Sequence, residues 1–156
     1  MIREFSAGGA VLRRMQGRWW IAAIEPQGTR KADHTRASVL ALPKGMIDRG
    51  ERPEAAAQRE VQEETGIEAS LAGKLSDIKY VYVRSWGDGE RVFKVVSFYL
   101  FFYKSGKIGD INDDMRHEVR QALWLPLEEA QKKLSYKGEK TVAKLAQAYV
   151  AAHPEL

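Results

Sequence analysis

Hydrophobic and polar residues alternate along several stretches of the chain and recur at helical spacing along others. Alternation predicts strands at about 4–13, 18–25, 38–42, 71–84, 91–103 and 121–125. Helical spacing predicts helices at 53–65, 127–134 and 139–151. The chain is therefore expected to mix strands with helices, and the strands account for most of the regular structure.

Two connections between these elements have distinct character. The turn at 87–89, Gly-Asp-Gly, separates two alternating segments and predicts a hairpin on which Tyr80 and Tyr82 share one side. The segment 27–37 is polar, and we expect it either to border a cleft or to be mobile.

The helix predicted at 53–65 carries an unusual group of carboxylates. Glu60, Glu63 and Glu64 fall at positions i, i+3 and i+4, so they share one face. No lysine or arginine lies four residues after any of them, and the cluster is therefore expected to be uncompensated by the protein. Such a cluster is either a solvated surface or a site for a hard divalent cation, Mg²⁺ or alternatively Mn²⁺.

The spacing around these carboxylates extends into a longer pattern. Residues 45–67 read G-x5-E-x7-R-E-V-x-E-E-x-G-I, which resembles the Nudix box at every defined position. The resemblance implies an α/β fold, an α/β/α sandwich with a mixed β-sheet. It also implies hydrolysis of a nucleoside diphosphate linked to another moiety.

The resemblance also implies roles for individual residues. It implies that Mg²⁺ is held by the box carboxylates and by one backbone carbonyl, namely by Glu60, Glu63, Glu64 and Gly45. It further implies that Arg59 pairs with Glu51, which would fix the loop against the helix and aim the catalytic carboxylates. Replacement of Arg59 by lysine is therefore expected to reduce activity.

The residue that accepts a proton from the attacking water is left open by the box. A box glutamate, Glu60 or Glu63, is one candidate. Glu118 is the other, because it precedes the apolar strand predicted at 121–125 and resembles a loop glutamate of dinucleoside polyphosphate hydrolases in this family. The adjacent His117 is a weaker candidate for a phosphate contact.

Length and composition agree with one small domain spanning 1–156. A chain of 156 residues with 44% hydrophobic content can bury one good core. There is no cysteine, so neither disulfides nor thiolate metal sites are expected. No long apolar run and no signal-like start are visible, and we expect a cytoplasmic protein without a membrane contact, either monomeric or homodimeric.

The net charge of +4 is unexpected beside an acidic site and predicts attraction for polyanions. Lysines and arginines are spread along the chain rather than gathered in a tail. This distribution favours a small phosphate-rich substrate over extended nucleic acid, which is not required as a partner.

Further segments resemble one branch of the family, the small bacterial hydrolases that cleave diadenosine tetraphosphate asymmetrically into ATP and AMP. They include 4–9, 42–45, 89–94, 98–99 and 136–140. A tetraphosphate needs cations besides magnesium, and the candidates are Lys44, Arg91, Lys94 and Lys137. Tyr82 and Tyr136 are candidates for stacking on adenine.

Several alternatives share this mechanism and differ in the substrate. They are a (d)NTP pyrophosphohydrolase of the MutT type, an RNA 5′-triphosphate pyrophosphohydrolase and a diphosphoinositol polyphosphate hydrolase. A domain that senses nucleotide or RNA without catalysis ranks last, because such modules usually lose the box carboxylates, and Glu60, Glu63 and Glu64 are all present.

Overall fold

The computed structural model describes residues 1–28, 39–85 and 87–156. Most of the polar segment predicted at 27–37 therefore lies outside the described residues. The strands are β1 (Ile2–Met15), β2 (Arg18–Pro26), β3 (Lys44–Met46), β4 (Glu68–Val83), β5 (Arg91–Ser105) and β6 (Val119–Pro126). The α-helices are α1 (Pro53–Thr65), α2 (Leu127–Lys133) and α3 (Lys137–Ala152), and a short 3₁₀-helix spans Asp113–His117.

The strands of the described residues form one mixed sheet in the order β4-β5-β1-β2-β6, with β3 paired to β1 beside this path. The β1–β5 pair is parallel, and the other pairs are antiparallel. Helix α1 packs on one face through a core that includes Ala56, Ala57 and Val61. Helices α2 and α3 pack on the other face. The predicted α/β/α sandwich with a mixed sheet is confirmed.

Helix α1 begins and ends where its sequence indicates. Pro53 occupies its first turn, and Gly66 ends it with a left-handed φ of 80°, a conformation that glycine adopts without steric cost. Ala56, Ala57 and Val61 are fully buried, which lets the helix lie close to the sheet. The fit is tight, because a Cβ on Gly9 of β1 would lie 2.6 Å from Val61.

The strand predicted at 38–42 is wrong for the residues that are described. Ala41 makes an isolated bridge to Ile24, and regular pairing begins only at Lys44, where β3 joins β1. Pro43 interrupts this segment because it has no N–H to donate to a neighbouring strand. The other predicted strands and helices are present, several of them longer than predicted.

No helix in the described part of the chain is both long and apolar enough to cross a membrane.

Candidate active site

Arg59 ties the loop before α1 to the helix. Its Nε donates to Glu51 Oε2 at 2.8 Å and its Nη2 to Glu51 Oε1 at 2.9 Å, so both carboxylate oxygens are engaged. Nη2 also donates to the Met46 carbonyl at 3.0 Å. These contacts lower the pKa of Glu51 to about 2, chiefly through the hydrogen bond from Arg59. The predicted contact between Glu51 and Arg59 is present and is bidentate.

The same guanidinium also contacts two of the box carboxylates. Arg59 Nη1 lies 2.9 Å from Glu60 Oε1 and 3.2 Å from Glu63 Oε2. The expectation of an uncompensated cluster is therefore wrong for this pair, because the compensating cation precedes them instead of following them. Arg59 stands one residue before Glu60 and four before Glu63.

Strand β3 passes directly beside Glu60. A Cβ built on Gly45 would lie 2.2 to 2.5 Å from the Glu60 carboxylate atoms, so any larger residue at this position would displace that carboxylate. The backbone N–H of Lys44 donates to Glu64 Oε1 at 2.8 Å. These two contacts join β3 to the acidic face of α1. We call this surface, formed by Gly45 with Glu60, Glu63 and Glu64, the acidic side of β3.

Two of the three box carboxylates are buried: Glu60 is 8% exposed and Glu64 is 7% exposed. Burial raises the pKa of Glu64 to about 8, against the lowering effect of the Lys44 N–H, and the Glu60 and Glu118 carboxylates add to the rise. Burial likewise raises the pKa of Glu60. The structure thus brings Glu118, exposed at the end of the 3₁₀-helix, into the electrostatic neighbourhood of the box carboxylates.

The box carboxylates are chemically suited to a hard divalent cation. Glu60 and Glu64 are costly to ionise without a neighbouring positive charge, because both are buried. Their carboxylate oxygens are the ligands that Mg²⁺ prefers. Within the described residues, no three histidine or acidic side chains already converge in a metal-ready arrangement. Arg59 holds Glu60 and Glu63 in other contacts. The donor chemistry therefore fits, whereas the side-chain geometry is not preassembled.

A cavity of about 600 Å³ lies on the opposite side of β3, between β4, β5 and the start of α3. Lys44 projects there, because consecutive residues of a strand point to opposite faces. Its Nζ lies 2.8 Å from Glu139 Oε2 and 5.1 Å from the centre of the Tyr136 ring. We call this surface the pocket side of β3; its walls include Lys44, Lys79, Tyr80, Tyr136, Lys137 and Glu139.

The charge of Lys44 is stabilised in this setting. Burial alone would lower the pKa of its ammonium group, but the neighbouring Glu139 carboxylate more than offsets this effect and raises the pKa above its ordinary value. Glu139 itself is only 2% exposed, and its other oxygen accepts the Leu42 N–H at 2.6 Å. A positively charged Lys44 is therefore present beside an aromatic ring in a largely apolar cavity.

The remaining predicted substrate residues are divided between two places. Lys137 lines the cavity together with Lys44 and Tyr136. Tyr82 and Lys94 lie beyond it around Glu4, which accepts the Tyr82 hydroxyl at 2.5 Å and lies 3.7 Å from Lys94 Nζ. Arg91 is exposed at the start of β5, opposite Val83 of β4, and does not line the cavity, so it stands apart from Lys44, Tyr136 and Lys137.

Sequence reasoning missed three residues with polar groups in the lining of the cavity. Tyr80 lines it, and its ring centre lies 6.2 Å from that of Tyr82, as alternation on one side of β4 predicts. Lys79 is a second addition. Glu139 is the third, and the segment 136–140 offers no local signal that this glutamate is buried, since burial depends on β3 and the loop before it.

Most of the chain is similar to known proteins. Residues 5–146 match the model of the NUDIX domain. A Mycobacterium tuberculosis protein described as "Putative mutator protein MutT4" is 36% identical over 93% of this chain. An 8-oxo-(d)GTP phosphatase of Mycolicibacterium smegmatis is 31% identical over 87% of this chain. The chain spans only 55% and 39% of the lengths of these two relatives.

Solved structures agree on the fold. An Ap4A hydrolase of C. elegans, in a binary complex, superposes with a TM-score of 0.72 at 21% identity and covers 96% of this chain and 98% of its own. A MutT NUDIX hydrolase of Burkholderia pseudomallei superposes with a TM-score of 0.66 at 22% identity, covering 93% and 98%. The chain therefore belongs to the NUDIX domain family, whose hydrolases act on phosphoanhydride bonds.

Proposed function

We propose that residues 1–156 form one Nudix domain that hydrolyses nucleoside polyphosphates with Mg²⁺, and that its substrate is diadenosine tetraphosphate, cleaved to ATP and AMP. The observation that carries the proposal is the acidic side of β3. There Glu60 and Glu64 are buried against Gly45 and Lys44 N–H, next to a cavity with basic and aromatic walls.

Each residue of the acidic side has an assigned part. Glu60, Glu63 and Glu64, with the Gly45 carbonyl, would hold Mg²⁺. When bound, the cation polarises phosphoryl oxygens and lowers the pKa of an attacking water. Arg59, fixed by Glu51, would aim Glu60 and Glu63 through the hydrogen bonds that it donates to both.

The proton acceptor is assigned to Glu118. This carboxylate is exposed and stands close enough to Glu60 and Glu64 to influence their pKa values. An exposed carboxylate next to the metal ligands can exchange its proton with solvent after each turnover, whereas Glu60 and Glu64 are committed to the cation.

The walls of the cavity support a nucleotide with a long phosphate chain. Lys44 and Lys137 would bind phosphate oxygens, and Tyr136, which is 45% exposed, offers a ring face for adenine stacking. Tyr82 of β4 and Lys94 of β5 both contact Glu4 and form a second position with an aromatic and a basic side chain. Two such positions suit a substrate with two adenosines.

A second candidate substrate is an oxidised purine nucleoside triphosphate. One relative, which is 31% identical, is named an 8-oxo-(d)GTP phosphatase. The same acidic side would serve this reaction, and one base in the cavity would be enough. The two candidates release different products, so one experiment separates them.

The experiment is an analysis of products by anion exchange after incubation with Mg²⁺ and either diadenosine tetraphosphate or 8-oxo-dGTP. Equal amounts of ATP and AMP support the first candidate. A nucleoside monophosphate with pyrophosphate, or a nucleoside diphosphate with inorganic phosphate, from 8-oxo-dGTP supports the second. Turnover of neither, by a folded protein, contradicts both.

Two variants serve as controls for the experiment. Glu63→Gln should abolish turnover, which assigns the activity to the acidic side and excludes a contaminant. Glu118→Gln should lower kcat while leaving KM nearly unchanged. A Glu118→Gln enzyme with full kcat would remove Glu118 from the mechanism without affecting the metal ligands.

A further inference from the structure

Glu139 is the least exposed charged side chain among those lining the cavity, and it belongs to neither the Nudix box nor the predicted substrate contacts. It lies in the first turn of α3 and is 2% exposed. A buried carboxylate is costly unless both oxygens are satisfied. Here they are, by Leu42 N–H at 2.6 Å and by Lys44 Nζ at 2.8 Å.

The segment held by Glu139 is the one that enters β3. Leu42 and Lys44 flank Pro43, whose carbonyl accepts the Gly9 N–H of β1 at 3.1 Å. Lys44 then joins α1 through the hydrogen bond from its N–H to Glu64. Glu139 therefore connects α3, through one residue of β3, with a box carboxylate.

Close packing keeps this connection in place. A Cβ on Gly138 would lie 2.6 Å from Ile78 of β4, so the start of α3 is seated directly against the sheet. A Cβ on Gly8 of β1 would lie 2.5 Å from the Pro43 carbonyl oxygen and 2.7 Å from Lys44 Cβ. Both ends of the Glu139 contact are therefore packed closely against the sheet.

We propose that Glu139 is a positioning residue, which fixes the Lys44 ammonium at the cavity and thereby aligns the substrate phosphates with the acidic side of β3. An ammonium has three N–H donors, so Lys44 keeps donors for a phosphate oxygen while one is engaged by Glu139. The proposal rests on the proposed function, because the aligned group is the phosphate of a nucleotide.

The test compares Glu139→Gln, Glu139→Asp, Lys44→Met and the double variant Lys44→Met with Glu139→Gln. Glutamine keeps the size and an oxygen for Leu42 N–H but removes the charge, whereas aspartate keeps the charge. Glu129→Gln is the matched control, since Glu129 is a surface carboxylate on α2 that pairs with Lys133. KM, kcat and the melting temperature are measured for each variant with diadenosine tetraphosphate and Mg²⁺.

Glu139→Gln is expected to raise KM about tenfold, through misplacement of Lys44, and to change KM less than about twofold once Lys44 is methionine. Glu139→Asp, which keeps the charge, should raise KM less than Glu139→Gln does. A purely structural role would instead lower the melting temperature and leave KM unchanged. The proposal would be overturned if Glu139→Gln raised KM equally with Lys44 and with methionine at that position. It would also be overturned if Glu139→Asp raised KM as much as Glu139→Gln.

Two further readouts keep the test decisive. If Glu139→Gln does not fold, Glu139→Asp and Lys44→Met still probe the pair, and an unchanged KM in both overturns the proposal. If the wild type hydrolyses none of the nucleotides, the proposed function fails. In that case, calorimetry measures the binding of α,β-methylene ADP to the same variants. A positioning role requires that Glu139→Gln weakens this binding when Lys44 is present and does not weaken it when Lys44 is replaced by methionine.

Discussion

The two sides of β3 are built from the same three-residue strand but are stabilised in different ways. On the acidic side, neighbours come from one local segment, and Arg59 satisfies carboxylates one to eight residues away. On the pocket side, Lys44 finds its partner Glu139 95 residues further along the chain. The acidic side is thus a local motif, whereas the pocket side exists only after the sheet and α3 have assembled.

Under the proposed function, the two sides contribute differently to the reaction. The carboxylates of the acidic side come from one short segment, so the same donor oxygens face any substrate. The proposed function assigns recognition of the substrate to the pocket side, which is assembled from distant segments. Substitutions on the acidic side should therefore lower kcat, and substitutions on the pocket side should raise KM.

Beyond the Glu63→Gln control, the largest effect is expected for Glu60→Gln. It removes one charge from the donor set, and we expect kcat to fall about 10³-fold because several kcal/mol of metal-dependent stabilisation is lost. Steady-state kinetics with Mg²⁺ measure the effect, with Glu68→Gln on β4 as the control. A kcat within about threefold of the wild type would remove Glu60 from the metal site.

Gly45→Ala tests the contact between β3 and α1. The added Cβ would occupy space that the Glu60 carboxylate holds, so we expect a fall in kcat of about 10²-fold from displacement of that carboxylate. Gly73→Ala is the matched control, because nothing lies within 4 Å of a Cβ there. Equal activity of the two alanine variants would contradict the close fit.

Arg59→Lys tests how the carboxylates are aimed. Lysine cannot reproduce the bidentate contact with Glu51, and kcat should fall about 30-fold as a consequence. Arg52→Lys, at an exposed arginine that pairs with Glu54, should leave kcat unchanged. A large rise in KM at unchanged kcat would instead assign Arg59 to substrate binding.

Tyr136→Leu tests the pocket side. Loss of a stacking surface should raise KM about tenfold while kcat changes little. Tyr136→Phe keeps the ring and should keep the KM of the wild type. If the phenylalanine variant is as impaired as the leucine variant, the hydroxyl and not the ring face is the contact.

The smallest effect concerns stability in acid. The Arg59 contact holds the pKa of Glu51 at about 2, below its ordinary value of 4.5, so this carboxylate stabilises the fold above that ordinary value. The contribution disappears as the pH falls towards about 2. Urea unfolding should show Glu51→Gln less stable than the wild type near neutral pH, with the difference shrinking in acid. A difference independent of pH would contradict the ion pair.

The residues of the acidic side were predictable because they are close in sequence. Spacing along one helix places Glu60, Glu63 and Glu64 together, and the Nudix resemblance supplies Gly45, Glu51 and Arg59. One local prediction was wrong, namely that no side chain neutralises the charges of Glu60 and Glu63. It took into account only lysines and arginines that follow the carboxylates in the sequence. Arg59 precedes both.

The pocket side was predictable only in part. Tyr136, Lys137 and Lys44 were identified through resemblance, but Glu139 was not, since its burial depends on tertiary contacts with Leu42 and Lys44. The strand predicted at 38–42 failed for a related reason. Its apolar residues satisfy the pattern of a strand, yet Pro43 and the pairing of β1 allow regular hydrogen bonding only from Lys44.

The most direct test of this account is a crystal structure with Mg²⁺ and a non-hydrolysable diadenosine tetraphosphate analogue. We expect Mg²⁺ within about 2.0–2.2 Å of carboxylate oxygens of the acidic side, with one adenine against Tyr136 and a phosphate on Lys44. An analogue bound away from the pocket side, or a metal away from Glu60 and Glu64, would contradict it.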